Sequence, residues 1–465
     1  MTSNSRRVLG LLSLLLSTSL ITSRLVIYGP QQLKEKFIDQ DFKIQASYAN
    51  FGNIPYGQSL IGRIYYNSSN ADGCARSNFT QDFSGDPDGI LTPIYLVDRG
   101  NCHFVTKVRN VEKAGGSLAV IIDDSGTTDI KQIIMSDDGT GTGIRIPSMI
   151  ISKKDGQILK DFLRTQSPDI SKLASLSAEF VFENVDNEVK WQFWYTSAND
   201  KALDFIRNFR DSQTQVQDSV KFEPHFVTWS CPFCDSDFKR KECLSDGKYC
   251  AMNHRGTNVI GKDILEEDLR EHCLYKLLRE EGQEAKWWEY MQYVHRMCYE
   301  EVNEECSKMG HKQINRDYGL TQTCVRESFE GPNPSTDDNR VLREDMRLWN
   351  NFGSGYWPSA VINNRTYRGD LVPDSVLNAL CSAFSTEPAA CKKFKQEAGL
   401  ASEPEGITGN VLIAVVVLLV LVNVLMIFIY KKCTSGEIKN DMQLQVNSAV
   451  SQYFALSTRN NSSMS

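Results

Sequence analysis

The residues with the plainest chemistry in this chain are Cys231-Pro-Phe-Cys234. Two thiols at this spacing can close a small disulfide ring and open it again. As a redox pair, Cys231 would attack a substrate disulfide and Cys234 would resolve the mixed disulfide. A helix starting at the pair would favour the thiolate through its free N–H groups and the positive end of its dipole. The structural reading has each thiol paired permanently with another cysteine of its domain. Ten cysteines fall between positions 231 and 391, so many connectivities exist and both readings stay open.

Other reactive patterns do not emerge. The sequence contains neither H-E-x-x-H nor G-x-S-x-G, and histidines 103, 225, 254, 272, 295 and 311 lack zinc-ligand spacing. No metal ligand is assigned. Gly139-Thr-Gly-Thr-Gly143 has no following Lys-Ser/Thr and reads as a mobile turn rather than a phosphate loop. A net charge of −7 excludes a dedicated nucleic-acid binder, which needs clustered positive charge to displace counterions from phosphates.

The elements that must position these residues begin with the chain ends. The 465 residues imply about three units. Arg6 and Arg7, the apolar run Val8 to Ile21 and the small Ser23 read as a cleaved signal peptide, residues 1–23. Val411 to Tyr430 carries no charge, and its twenty residues span about 30 Å as a helix, one hydrocarbon core. A transmembrane helix is therefore predicted over 409–430. Lys431 and Lys432 follow it and hold that side in the cytoplasm. The result is a single-pass type I protein with a short stalk, 395–408, and a flexible tail, 431–465. Twelve of the thirteen cysteines lie on the luminal side, an even number that suits a disulfide framework. Asn67, Asn78 and Asn364 open glycosylation sequons there.

Within residues 24–185, β-type runs at Leu60 to Tyr66, Ile94 to Asp98, Leu118 to Asp123 and Ile146 to Ser152 alternate with helical spacing over Phe104 to Ala114 and Lys154 to Arg164. Val97-Asp-Arg-Gly-Asn-Cys-His-Phe104, Lys107, Lys113-Ala-Gly-Gly116 and Ile146-Pro-Ser-Met-Ile-Ile-Ser152 together resemble the protease-associated domain. The resemblance implies an α/β binding domain without catalytic residues of its own, and a Cys74–Cys102 disulfide. A protease-associated ubiquitin ligase is disfavoured, because the tail has one cysteine and cannot build a RING site.

Residues 186–394 read differently. A strand at Trp191 to Tyr195, a helix over Asn199 to Arg210 and a strand over Phe222 to Trp229 lead into Cys231-Pro-Phe-Cys234. This order is similar to thioredoxin, with Pro358 in the place of the cis-proline that faces the redox pair. A Cys-rich helical insertion, roughly Glu242 to Glu327, separates the two landmarks. It carries helices over Leu265 to Arg279 and Glu284 to Glu304, with Trp287 and Trp288 in the core and Cys298 two turns from Cys306.

Taken together the luminal strings resemble the vacuolar sorting receptors of plants and protists. They include Ala49-Asn-Phe-Gly52 with Tyr56-Gly57, Phe226-Val-Thr-Trp229 with Cys231-Pro232, Gly247-Lys-Tyr-Cys-Ala251, Trp287-Trp288 and Asn363-Asn-Arg-Thr-Tyr-Arg-Gly369. The fold class expected is thus an α/β protease-associated domain, an α/β thioredoxin-like domain with a Cys-rich helical insertion, and one transmembrane helix. The resemblance implies a receptor, not an enzyme, that binds soluble luminal proteins such as hydrolases through a short peptide signal. Arg99, Gly100, Asn101 and His103 would make that contact. Arginine suits it, since its planar donor fork can hold carboxylates or carbonyls. Protonation of His103 in an acidic lumen is expected to weaken cargo binding. No cofactor is implied. Plant members carry EGF-like repeats and this chain has none, which leaves calcium dependence open. In the tail, Tyr453-Phe-Ala-Leu456 fits the sorting signal that adds as a strand to the clathrin-adaptor medium chain, with Tyr453 and Leu456 in its pockets. The locations implied are Golgi, trans-Golgi network and prevacuolar or lysosome-related compartments. The alternative is a membrane-anchored thiol–disulfide oxidoreductase of the secretory pathway.

Overall fold

A computed structural model describes residues 24–76, 91–126, 129–182, 184–252, 259–298, 302–352, 355–400, 417–427 and 442–452. The predicted signal peptide, Asn78, Tyr453 and Leu456 lie outside the described residues. The chain divides into two compact units, Met1–Phe394 and Lys395–Ser465.

Seven strands open the first unit: β1 Arg24–Gly29, β2 Lys43–Tyr48, β3 Ser59–Tyr65, β4 Thr92–Asp98, β5 Leu118–Ile122, β6 Ser148–Ile151 and β7 Ser175–Glu179. They close into a barrel in the order β1-β2-β6-β5-β4-β3-β7. β3, β4, β5 and β6 pair in parallel, and the remaining pairs are antiparallel. A parallel strand is covered on both faces and should read as a continuous apolar run. β5, Leu-Ala-Val-Ile-Ile, is such a run, buried at every position. The helix Phe104–Lys113 crosses from β4 to β5 and buries Val105, Val108 and Val111 against Tyr95, Val97 and Ile121.

A second sheet is built from β8 Val189–Tyr195, β9 Val220–Phe226, β13 Ser359–Ile362 and β14 Arg365–Thr366 in the order β14-β13-β8-β9. β8 and β9 are parallel and joined by the helix Asp200–Val216, a right length for a crossover. Trp191, Phe193, Trp194 and Tyr195 have no exposed surface. β9 is an edge strand, and its outer side is blunted. Pro224 has no N–H, the Tyr275 hydroxyl donates to the Phe222 carbonyl, and the Phe226 N–H donates to Asp345 Oδ2 at 3.0 Å.

Two expectations are corrected here. Phe222 to Trp229 is not one strand. β9 ends at Phe226, and β10 Thr228–Trp229 leaves for a small sheet with β11 Cys243–Leu244 and β12 Tyr249–Ala251. The break falls at the edge of the main sheet, where no outer neighbour forces the strand to continue. The expected helix over Glu284 to Glu304 also divides. Its first part is Ala285–Met297, Cys298 caps it, and a new helix runs over Glu304–Gln313. The Cys298–Cys306 disulfide ties the end of one to the start of the other. Trp287 and Trp288 are buried, edge-on to one another at 5.2 Å.

The barrel and the second sheet meet along Ala49–Tyr56. The Ala49 and Gly52 carbonyls accept the N–H groups of Gly369 and Asp370 at 2.9 and 3.0 Å. The Tyr56 carbonyl accepts from Asn378 and Ser382. Gly52 has φ +75°, and a Cβ there would come within 2.6 Å of the Ile146 carbonyl oxygen. Two of the strings that carried the family resemblance, Ala49–Gly52 and Asn363–Gly369, are therefore the two sides of one seam.

In the second unit residues 417–427 and 442–452 are helical. No helix among the described residues is long and apolar enough to cross a membrane. Residues 409–416 and 428–430 of the predicted span lie outside the described residues. The tail differs from the flexible segment expected, since 442–452 form helical turns with Met442, Leu444, Val446 and Val450 exposed.

Candidate functional site

β4 delivers Arg99 to the rim of the barrel, where its N–H still donates to the Ile122 carbonyl at 2.9 Å. The chain then turns through left-handed backbone, φ +103° at Gly100 and +64° at Asn101. A Cβ on Gly100 would meet nothing, so the glycine is needed for its backbone angle and leaves the turn open above. His103 precedes the first helical residue and is exposed.

The turn is held from below. Cys74 and Cys102 are disulfide-bonded with Cα atoms 5.9 Å apart. Lys107 is wholly buried, and its Nζ donates to the carbonyls of Asp72 and Gly100, each at 2.6 Å. Burial pushes its ammonium below the ordinary lysine range, and Asp72 and Asp98 offset part of that. Asn110 Nδ2 donates to the Gly73 and Cys74 carbonyls, and Asn101 Nδ2 to Asp72 Oδ2 at 2.8 Å. The Asn101 bond, followed by the Cys74 N–H, holds the Asp72 carboxyl below its usual range.

Arg99 sits in a prepared seat. Its Nη1 donates to Asp123 Oδ1 at 2.6 Å, its Nε lies 3.6 Å from Asp124, and its guanidinium lies over the Phe104 ring at 5.6 Å. Burial pushes Asp123 up, but the bonds from Ser125 and Arg99 outweigh it and leave its carboxyl low. The Arg99 side chain stays 36% exposed. This loop can bind, through a guanidinium and open backbone; none of its groups is an activated nucleophile.

Asp123 ends a β-type run that the sequence shows, but no role was given to it there, although the register could have found one. β4 pairs with β5 so that Asp98 stands beside Ile122, and the next residues are Arg99 and Asp123. Lys107 was part of the motif string, but its burial beneath the loop needed the fold.

The Cys231–Cys234 pair matches the redox reading in its bond and departs from it in its position relative to the helix. The two sulfurs are bonded to each other, and both residues are partly exposed, with Phe233 between them 99% exposed. The eight other cysteines of the domain pair as 243–250, 273–324, 298–306 and 381–391. The following helix, Ser236–Glu242, starts beyond Cys234 rather than at the pair. Its N-cap is Asp235, whose carboxylate takes the Asp237 and Phe238 N–H groups at 3.0 and 2.9 Å. The donors that would favour a thiolate are already filled by an acid. The Trp357–Pro358 peptide is cis, but Pro358 lines a cavity with Asn50 and Asp137 of the barrel, and neither cysteine is part of that lining.

Asn364 is exposed at the tip of the β13–β14 hairpin, φ +62°, while Asn67 is half-buried and its side chain accepts the Ser69 N–H at 2.9 Å. No group of three or more metal-ligating side chains gathers among the described residues.

Comparison with known proteins places this geometry. Residues 60–159 match the PA domain family, and residues 189–381 match the vacuolar sorting receptor thioredoxin-like domain. Vacuolar-sorting receptor 1 of Pisum sativum is 30% identical over 80% of this chain and 62% of its own length. Vacuolar-sorting receptor 3 of Arabidopsis thaliana is 32% identical over 74% of this chain and 57% of its own length. The chain thus spans about three-fifths of the curated relatives it matches. The oxidoreductase DsbA from Xylella fastidiosa superposes on 46% of this chain and 88% of its own at 7% identity, with a TM-score of 0.27, too loose to bear on function.

Proposed function

We propose that this chain, whose folded part matches the PA domain and the vacuolar sorting receptor thioredoxin-like domain and which is about 30% identical to vacuolar-sorting receptors, is a sorting receptor for soluble proteins of the Golgi lumen. It binds cargo such as hydrolases by a short peptide signal and delivers it to a vacuole or lysosome-like organelle. No bond is made or broken, and no cofactor is assigned. The observation that carries this reading is the Arg99 seat, a partly exposed guanidinium oriented by Asp123 beside an open turn. Gly100, Asn101 and His103 share the cargo surface.

The remaining parts follow from the sequence. Residues 1–23 direct the chain into the secretory pathway, and Val411 to Tyr430 anchors it as a single-pass type I protein of Golgi, trans-Golgi network and prevacuolar membranes. Asn67, Asn78 and Asn364 are glycan acceptors. Tyr453 and Leu456 engage the clathrin-adaptor medium chain.

The test uses the full chain in nanodiscs, challenged with a luminal extract at neutral pH. It should retain soluble hydrolases. Arg99→Met alone would leave the buried Asp123 carboxylate unpaired, so the informative variant combines Arg99→Met with Asp123→Asn. Loss of retention in that folded double variant supports the assignment; full retention removes Arg99 from the cargo site.

One observation favours the second reading, a thiol–disulfide oxidoreductase: Cys231 and Cys234 are closed on each other and accessible. Reduction of insulin disulfides by the full chain, abolished by Cys231→Ser, would replace the receptor reading.

A further inference from the structure

A cavity of about 500 Å³ lies along the outer edge of β9, against the helix Gly261–Glu280. It falls within the range of roughly 300–1,000 Å³ that small-molecule sites occupy. Its wall includes Glu223, Pro224 and His225 from the strand, and His272, Tyr275 and Lys276 from the helix. A second cavity of about 640 Å³ shares His225, His272, Lys276 and Glu280 with the first, so the two adjoin as one cleft. No residue of the barrel lines either cavity, which separates the cleft from the Arg99 turn.

His225 is the fixed point of this cleft. Its side chain is only 9% exposed, and its ring stacks on Trp194 with centroids 4.5 Å apart. Nδ1 is bonded to Asp345 Oδ1 at 2.7 Å, and Asp345 is itself pinned by the Phe226 N–H. Nε2, on the other side of the ring, is buried and has no hydrogen-bond partner. Burial pulls the imidazole down, but the bond to Asp345 and the nearby Glu223 carboxylate outweigh this and raise it to about 9. Nε2 therefore carries a hydrogen at neutral pH. A buried charged donor left unfilled is an exception that asks for a ligand or an ordered water. Glu223 stands beside it. One Glu223 oxygen accepts from Arg279 Nη1 at 2.7 Å, and the other lies 3.8 Å from His225 Nε2, outside hydrogen-bond distance. His272 adds a second imidazole whose Nδ1 is buried without a partner.

The cations His225, Lys276 and Arg279 are matched by the carboxylates Glu223, Glu280 and Asp345, so the cleft has no net charge with which to select an ion. We propose that it binds a neutral polyhydroxyl ligand, a sugar unit or short glycan. One hydroxyl sits between His225 and Glu223, accepting from Nε2–H and donating to Oε2. Two atoms 3.8 Å apart can both reach one oxygen at about 2.8 Å. A hydroxyl suits this pair because it donates and accepts through the same atom, whereas a carboxylate only accepts and an ammonium only donates. Both bonds are charge-assisted, which strengthens them. Lys276 and Glu280, exposed at the rim and one helical turn apart, offer a second donor and acceptor to the next hydroxyl. The C–H face of the sugar packs on Pro224 and on the ring of Tyr275, whose hydroxyl is already bonded to the Phe222 carbonyl. This assignment is independent of the receptor reading, since it uses neither the Arg99 turn nor the barrel.

The test titrates the full chain in nanodiscs with methyl α-mannoside, methyl α-glucoside, methyl β-galactoside and N-acetylglucosamine, read by ligand-observed NMR. Acetate and methylammonium serve as charged controls. At least one sugar should bind saturably and about tenfold tighter than either control. Glu223→Ala, at a side chain 42% exposed, should weaken that binding severalfold. The double variant His225→Phe/Asp345→Asn keeps a ring over Trp194 and an acceptor for the Phe226 N–H, and should abolish it. Sugar binding no tighter than the controls, no saturation by any sugar up to about 50 mM, or undiminished binding in either variant would overturn the proposal. Hydrolase retention on the same preparations tests the receptor reading separately.

Discussion

Lys107 Nζ lies 2.6 Å from the Gly100 carbonyl oxygen, so the floor of the open Arg99 turn is a wholly buried ammonium. A second bond of the same length runs to Asp72, on the segment that carries Cys74. One cation thus joins the two strings of chain that the Cys74–Cys102 disulfide also joins. Lys107→Met would leave the Asp72 carbonyl without its donor and the Gly100 carbonyl with the Cys102 N–H alone, a loss of about 2 kcal/mol. Chemical denaturation should show it, and hydrolase retention should fall with the order of the turn. An unchanged midpoint would mean that the disulfide alone holds the loop.

Stability should be higher in mildly acidic than in neutral solution. Asp268, on the helix Gly261–Glu280, is wholly buried, and burial pushes its carboxyl up to about 8. Glu271 on the same helix is displaced in the same direction, again by burial first. Such a group holds its proton in the folded chain and loses it in the unfolded chain between its two pKa values. Its contribution is complete below the unfolded value, roughly 4, and disappears as pH rises to about 8, at about 1.4 kcal/mol per pH unit. Denaturation midpoints at pH 5 and 7.5 should differ accordingly, and Asp268→Asn, which can still accept the Ser197 N–H, should flatten the slope. An identical slope in the variant would remove Asp268 from the account.

The disulfides should contribute unequally. Cys273 and Cys324 are separated by 51 residues in sequence, Cys231 and Cys234 by three. Loop-closure entropy assigns about 4 kcal/mol to the first and about 1.6 kcal/mol to the second. The Cys273→Ser/Cys324→Ser variant should therefore unfold at much lower denaturant than Cys231→Ser/Cys234→Ser. The reverse order would give the short ring a structural role that its chain separation does not explain.

If Tyr453 fills an adaptor pocket and the protein resides in the Golgi, as proposed, Tyr453→Ala should move it to the surface. Surface biotinylation measures this directly. Continued Golgi residence would discard the Tyr453–Leu456 signal.

Much of the architecture was legible from local pattern. β5 announces itself as an unbroken apolar run, the helix Phe104–Lys113 by its spaced valines, and the Arg99 turn by Gly-Asn between strand and helix. The strand at Phe222 was legible too, but not its end, because Val227, Thr228 and Trp229 are all residue types that favour strands and continue the pattern after the main sheet has been left. The Cys231 pair misled for a related reason. Its spacing suggested a helix start, whereas the Asp235 that actually begins the helix is an ordinary capping residue one position further on.

By itself the sequence determined most of the strands and helices of the two folded domains, where signal and anchor are expected, and where the Arg99 turn falls, since these depend on periodicity, charge and backbone freedom over a few residues. Only the tertiary structure decided that Asp123 seats Arg99, that Lys107 underlies Gly100, and that Tyr56 meets Arg368 across 312 residues of chain. Those contacts are made by residues unremarkable in their own neighbourhoods. They acquire a role when folding removes water and leaves each buried polar group to find a partner from elsewhere in the molecule.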